Sequence, residues 1–203
     1  MPISFSEFTL TKVSATGNDF LIADLLTEER RQLWKRDWQA TPRRALTQQW
    51  CDRHEGLGAD GLVVLEPDPT VDFKWDFYNS DGGSAEMCGN AARAVSLYMQ
   101  QTTGKSDLHF LTLAGPVQAH VTSANKISVE LPAIAENEWG LKTTTALAFD
   151  FIRAGVPHAV VKVPALEDRG RLREWAGMIK ADPRFHPDGV NVTFVRIKSA
   201  HQI

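Results

Sequence analysis

Asn79-Ser80-Asp81-Gly82-Gly83-Ser84-Ala85-Glu86-Met87-Cys88-Gly89-Asn90-Ala91-Ala92-Arg93-Ala94-Val95-Ser96-Leu97-Tyr98-Met99 is a polar, glycine-containing loop that runs straight into an apolar helix, with a cysteine at the junction. Ala91, Ala94, Val95 and Tyr98 share one helical face, and Ala92, Val95 and Met99 form a second, overlapping stripe. A helix apolar over so much of its circumference is buried on several sides. Its alanines favour helix and allow close approach of neighbours.

The start of that helix is where chemistry is expected. The first N–H groups of a helix lack internal partners and carry the positive end of its dipole, so they attract a carboxylate or phosphate. The same field favours a thiolate over a thiol. Gly89 lets a ligand approach the backbone, and Asn90 adds an amide that donates or accepts. Cys88-Gly89-Asn90 therefore reads either as an anion cradle with a reactive sulfur or as an inert cysteine opening a core helix.

The composition excludes several other classes. The chain has 203 residues, of which 43% are hydrophobic and 23% charged, and a net charge of −3. That suits one large or two small globular domains, with no electrostatic footprint for nucleic acid or an anionic membrane. No apolar run reaches the length of a membrane span, and the N-terminus lacks a basic-then-apolar secretory signal. Cys51 and Cys88 are too few for a disulfide framework and lack zinc-ligand spacing. The expected setting is the cytoplasm.

Working outward from the central stretch, Val71 to Tyr78 alternates apolar and polar, a strand with one buried face that delivers Asn79 to the loop. Upstream, Phe8 and Leu10 and then Phe20-Leu21-Ile22 read as two strands around a Thr16-Gly17-Asn18-Asp19 turn. Asn18 is either turn chemistry or a ligand-facing amide. Thr27 to Trp38 reads as a helix. A second is expected to start with Thr41 as cap and Pro42 as first residue, to stop near Gly56, and to hold Cys51 in its interior as a packing residue.

Gly56-Leu57-Gly58-Ala59-Asp60-Gly61 matches GxGxxG, but a helix precedes it and the β-rich Leu62-Val63-Val64-Leu65 follows. That order is the reverse of a dinucleotide site, so none is expected. Downstream, Leu108–Thr112, Val117–Val121 and Ile127–Leu131 read as strands, with a turn at Ser123-Ala124-Asn125-Lys126. The first segment is thus a curved sheet on a central helix, not a doubly wound parallel sheet. From Pro132 the pattern restarts. Phe149–Ala154 and His158–Val163 are strands broken at Gly155-Val156-Pro157. Arg169 to Lys180 is an amphipathic helix, and His186-Pro187-Asp188-Gly189 turns into a last strand carrying Asn191.

Together these stretches resemble the diaminopimelate epimerase family over nearly the whole chain. The matching pieces are Gly17-Asn18-Asp19-Phe20, Arg53 through Gly61, Asn79-Ser80-Asp81-Gly82, Cys88 through Arg93, Gly155-Val156-Pro157-His158 and Asn191. The resemblance implies an α+β fold of two pseudo-symmetric lobes, each a curved, mostly antiparallel sheet around a central helix. The first would span 1–131 and the second, incomplete, 132–203. It implies interconversion of LL- and meso-2,6-diaminoheptanedioate for lysine and peptidoglycan synthesis, without pyridoxal phosphate, metal or other cofactor. Two thiols on opposite sides of the substrate α-carbon would exchange the proton. Cys88 would be one of them, with His158 tuning or positioning the pair. Asn18, Asn79, Gly89, Asn90 and Asn191 would bind the substrate. His158 reads equally, on local sequence, as a satisfied histidine beside a proline turn.

The partner expected is thus a small molecule, diaminopimelate, with no nucleic acid and no membrane. An open lobe with exposed apolar strands would favour a homodimer. Four departures from the family pattern stand out. Ser14-Ala15 replace a His-Gly pair, Val156 stands where many members have Asn, and Ala91 replaces a glycine. The family's second-half Glu-Arg pair and second Cys-Gly-Thr/Ser-Gly helix start are absent, so the chain reads as a truncated, poorly active epimerase. The competing readings are a proline-racemase-like or phenazine-isomerase-like enzyme, a non-catalytic amino-acid-binding remnant, and a cysteine hydrolase, for which no Cys-His dyad is assignable.

Overall fold

The computed structural model describes residues 8–123, 126–130, 133–134, 136–154, 156–187, 189–199 and 202. Contacts divide the chain into two compact units, Met1–Leu131 and Pro132–Ile203.

The first unit explains itself through two continuous apolar runs. In the strands β2 (Asn18–Asp24) and β3 (Gly61–Glu66), almost every residue is buried. Alternate side chains point to opposite faces of a strand. Phe20, Ile22, Val63 and Leu65 therefore enter one core, and Leu21, Ala23, Leu62 and Val64 enter another. A strand buried on both faces reads as an unbroken apolar run, and these two do.

The inner core belongs to the helix α3 (Gly89–Thr103), which packs on β1 (Leu10–Ala15), β2, β6 (Gly115–Ser123) and β7 (Lys126–Val129). The remaining strands are β4 (Phe73–Asn79) and β5 (Asp107–Thr112). All seven form one sheet in the order β1-β2-β3-β4-β5-β6-β7, parallel only at β2–β3 and β4–β5. One helix touching strands from both ends of a seven-stranded sheet requires that sheet to curl around it. The expected stripes Ala91, Ala94, Val95, Tyr98 and Ala92, Val95, Met99 are all buried. Gly104, in the left-handed conformation at φ 76°, ends the helix by donating its N–H to Gln100 O.

The outer core is closed by α1 (Glu28–Trp38) and α2 (Arg43–Cys51). Thr27 caps α1, its side chain accepting from Arg30 N. Trp34 and Trp38 meet Trp50 edge-on, and Phe8, which precedes β1 rather than joining it, packs edge-on against Trp34. The second helix departs from expectation at both ends. Pro42, not Thr41, sits at the cap without a side-chain hydrogen bond, and the helix stops at Cys51. Asp52 ends it, its Oδ1 accepting from His54 N and Glu55 N at 2.7 Å each. Cys51 is thus at a helix C-terminus, not mid-helix.

A buried polar post ties α3 to the sheet. Tyr98 Oη donates to Asp24 Oδ2 at 2.7 Å, Leu26 N donates to Asp24 Oδ1 at 2.9 Å, and Arg30 pairs with the same carboxylate. Burial and Asp24 push the Tyr98 hydroxyl up to about 12. Tyr98→Phe should lower stability by about 1.5–3 kcal/mol, the worth of a hydrogen bond to a charged group, as read by urea denaturation.

The second unit holds a four-stranded sheet, β11-β10-β9-β8. Its strands are β8 (Glu136–Lys142), β9 (Ala148–Ala154), β10 (Val156–Lys162) and β11 (Asn191–Val195). The helix α4 (Arg169–Lys180) packs on β11 and buries Ile179, with Leu172 and Trp175 against the same core. β8 was not anticipated. The unit repeats the start of the first: an antiparallel hairpin (β9–β10, as β1–β2), a helical crossover, then a strand parallel to the second (β11, as β3). Sequence expectations at Gly155, Ala124-Asn125, Leu131, Pro132 and Asp188 fall outside the described residues.

Asp182 anchors the turn after α4. It accepts from Arg184 N and is paired with the Arg184 guanidinium at 2.6 Å, which holds its carboxyl down at about 2. An unfolded aspartate titrates near 4. The pair's stabilisation is therefore complete above pH about 4 and is lost as pH falls toward about 2. Asp182→Asn should flatten the acid limb of a stability-versus-pH curve over that window.

Candidate active site

The starts of β2, β3 and α3 and the end of β4 converge at one end of the first unit. Phe20 is in register with Gly61, and Gly61 with Asn79. Asp60 N donates to Asp19 O and Ser80 N to Asp60 O, both at 2.9 Å, which locks the three chain segments together. Gly61 is needed for packing: a Cβ there would lie 2.6 Å from Tyr78 O and 2.8 Å from the Phe77 ring. The GxGxxG match thus serves a close strand approach, not a nucleotide.

Cys88 caps α3 from an extended backbone conformation, φ −144° and ψ 116°. Its Sγ accepts from Ala91 N at 3.5 Å, and its carbonyl accepts from Ala92 N at 2.9 Å. The N–H groups of Gly89 and Asn90, first two of the helix, have no intrahelical partner to meet. A half-buried sulfur therefore sits beside two backbone donors at the positive end of a helix. This arrangement suits an anion held on the backbone with a sulfur next to it.

Two amides are joined at the start of α3. Asn90 Nδ2 donates to Asn18 Oδ1 at 2.6 Å, and Asn18 Nδ2 donates to Asp60 Oδ2 at 2.8 Å. The hairpin turn is only Thr16-Gly17, with φ values of 55° and 89°, so Asn18 opens β2 rather than lying in the turn. Asp60 and Asp19 share Arg53, at 2.9 and 2.7 Å, and Lys12 adds a bridge to Asp19 at 3.2 Å. The Arg53 guanidinium holds the Asp19 carboxyl well below the usual range, and the Asn18 amide is the main cause lowering Asp60. Arg93 bonds Asn90 Oδ1 and reaches Thr16 Oγ1 at 3.2 Å.

The structure thus brings Cys88, Gly89, Asn90 and Asn18 together. Asn79 lies at the same end, exposed, its N–H donated to Gly83 O at 2.8 Å. His158 and Asn191 are in register with each other on β10 and β11 of the second unit. Sequence reasoning quoted Asp19, Arg53, Asp60 and Arg93 within motifs but gave them no part in the site. Their signal was only that four charged residues accompany loops otherwise explained by glycine and asparagine.

Cys51 has the opposite environment to Cys88. It is 2% exposed, at a helix C-terminus, and burial pushes its thiol up to about 11. Among the described residues, no group of three or more His, Cys, Asp or Glu is placed to hold a metal ion, and no helix is long and apolar enough to cross a membrane.

A curled sheet around an apolar helix, with a second sheet unit after it, is a fold shared with solved structures. The chain superposes on a hydroxyproline epimerase from Agrobacterium vitis with a TM-score of 0.62 at 18% identity, covering 91% of this chain and 64% of that one. A PhzF-family phenazine biosynthesis protein from Bacillus anthracis gives 0.57 at 13% identity, with 94% and 68% covered. At these identities the likeness establishes the fold.

Sequence comparison establishes the family. The family model for diaminopimelate epimerase matches residues 10–133. The diaminopimelate epimerase of Aquifex aeolicus is 36% identical over 193 residues, 91% of this chain and 67% of the relative. That of Nitratiruptor sp. is 39% identical over 160 residues, 77% and 58%, and that of Carboxydothermus hydrogenoformans 34% over 208, 95% and 73%. The chain belongs to the diaminopimelate epimerase family. It spans between 58% and 73% of the length of these relatives.

Proposed function

We propose that this chain binds 2,6-diaminoheptanedioate and exchanges its α-proton at Cys88, as one side of a pyridoxal-phosphate-independent epimerisation between the LL and meso forms. The observation that carries this reading is the Cys88 sulfur at the start of α3, accepting from Ala91 N beside the open N–H groups of Gly89 and Asn90. Those donors would hold the α-carboxylate and stabilise the charge that develops as the proton leaves. The Cys88 thiolate would take that proton, the C–H electron pair passing onto the α-carbon and its carboxylate. Asn18, Asn79 and Asn191 would bind the polar groups of the substrate, and His158 would position the acid/base pair.

Inversion needs a second acid on the opposite face. Within these 203 residues the remaining cysteine is Cys51, which is buried and held as a thiol. The purified chain should therefore exchange the α-proton with little inversion. The reaction belongs in the cytoplasm, where lysine and peptidoglycan precursors are made, and a homodimer would cover the exposed strands. The experiment is α-proton exchange of LL- and meso-diaminopimelate in heavy water, followed by NMR. Exchange with retention supports the reading, and rapid full epimerisation or an absence of both exchange and binding would overturn it.

A further inference from the structure

Arg93 and Asn90 of α3, Asn18 of β2 and Asp60 just before β3 come from three separate segments of the chain yet form one unbroken line of hydrogen bonds. An amide side chain is ambiguous, since its two ends both bond but in opposite senses. This line removes the ambiguity. Arginine has only donors, so Asn90 must turn its oxygen to Arg93. Asn90 then has only N–H to offer Asn18, which must present its oxygen. Asn18 in turn has only N–H left for Asp60, and an ionised carboxylate only accepts.

We propose that Arg93 and Asp60 are positioning residues that set the direction of this relay, so that Asn90 and Asn18 both present N–H donors to an anionic substrate group. Both amide oxygens accept within the line. Each Nδ2 uses one of its two N–H bonds there and keeps the other for a ligand. The ends are themselves held: Arg93 by Thr16 Oγ1 at 3.2 Å, and Asp60 by Arg53 at 2.9 Å and Asp19 N at 3.2 Å. Reversing the relay would turn carbonyl oxygens toward the position proposed for a carboxylate beside the start of α3. The inference rests on the substrate class proposed above, and it assigns a role to two residues that do not touch the reacting atoms.

The test uses the whole chain with Asp60→Asn, Arg93→Met and Arg93→Lys. Asp60→Asn keeps the shape but allows the end of the line to donate, and Arg93→Met removes the donor, whereas Arg93→Lys restores one. Two readings are taken. The first is the pair of side-chain amide signals of Asn18 and Asn90 in ¹⁵N NMR, without ligand. The second is the dissociation constant for meso-diaminopimelate by calorimetry.

In the parent chain each amide should show one protected and one freely exchanging N–H. Asp60→Asn and Arg93→Met should erase that asymmetry and weaken binding roughly tenfold, the worth of about one hydrogen bond. Arg93→Lys should stay within about threefold of the parent. Arg93 is half-buried on the helix surface, so Arg93→Met decides alone if Asp60→Asn does not fold. Unchanged amide signals in the folded variants, or Arg93→Met binding as tightly as the parent, would overturn the relay. A parent that binds no diaminopimelate yet shows the asymmetry, lost in the variants, would overturn the proposed substrate and support the relay.

Discussion

Cys88→Ala should reduce α-proton exchange by about 10³-fold or more, since a positioned acid or base contributes roughly 10²–10⁴ and the other thiol, Cys51, lies on a different helix. Cys51→Ala should leave exchange within about twofold, because Cys51 lies at the wrong end of a different helix and is almost fully buried. The pair of variants separates the two cysteines cleanly. Alkylation by iodoacetamide, followed by mass spectrometry of the peptides, gives an independent reading: Cys88 should react first. Equal loss of exchange in both variants would show that a distant packing defect, not the missing sulfur, explains the effect. Retained exchange in Cys88→Ala would remove Cys88 from the chemistry.

The largest effect on stability is expected at Phe110. Its ring is 0% exposed, stacks on Phe73 with centroids 4.8 Å apart and planes 9° from parallel, and lies 5.4 Å from the Trp75 ring. It comes from β5, which pairs with β4 through only Phe73–Phe110 and Lys74–Leu111. The side chain therefore supplies much of what joins these two strands. Phe110→Ala should cost about 3–5 kcal/mol, a large part of the ~5–15 kcal/mol that keeps a domain folded. Urea denaturation followed by circular dichroism reads it directly. A loss under about 1 kcal/mol would mean that the surroundings collapse into the space, contrary to the close packing around it.

The same packing explains what could be read from the sequence. Phe20-Leu21-Ile22 and Leu62-Val63-Val64-Leu65 are apolar at every position because a core lies on each side of them. The α3 stripes were legible because that helix is surrounded, and the position of Cys88 followed from where the stripes begin. β8 left no such trace. Six of its seven residues are exposed and only Leu141 is half-buried, so backbone pairing with β9, interrupted by an irregularity between Glu138 and Leu141, holds it in place. Periodicity reports burial, and a strand with little burial has no period to detect.

Cys51 was misplaced for a different reason. Gly56 looked like the stop signal, but Asp52 ends the helix earlier by accepting two backbone N–H groups. Gly56 serves instead to let the chain pass: a Cβ there would lie 2.2 Å from Gln49 O. In the candidate site, the local motif around Cys88 was visible, whereas the line from Arg93 to Asp60 was not. It joins residues 18, 60, 90 and 93, and no local pattern encodes which loops a fold will bring together.

The strand order of the first unit has a consequence for how it is made. Because β1 to β7 pair in the order in which they are synthesised, each strand finds its partner already formed beside it. Such pairing keeps most contacts short in sequence, which favours rapid folding. The exception is α3, whose contacts reach from β1 to β7 and which alone draws the two ends of the sheet toward one axis. Until β6 and β7 have emerged, the helix that carries Cys88 has only half of its wall. The surroundings of Cys88 should then pack late, and pulsed thiol labelling during refolding should find Cys88 still labelling at its unfolded rate after Cys51 is already protected. Early protection of Cys88 would place the closing of the sheet before the docking of its outer helices.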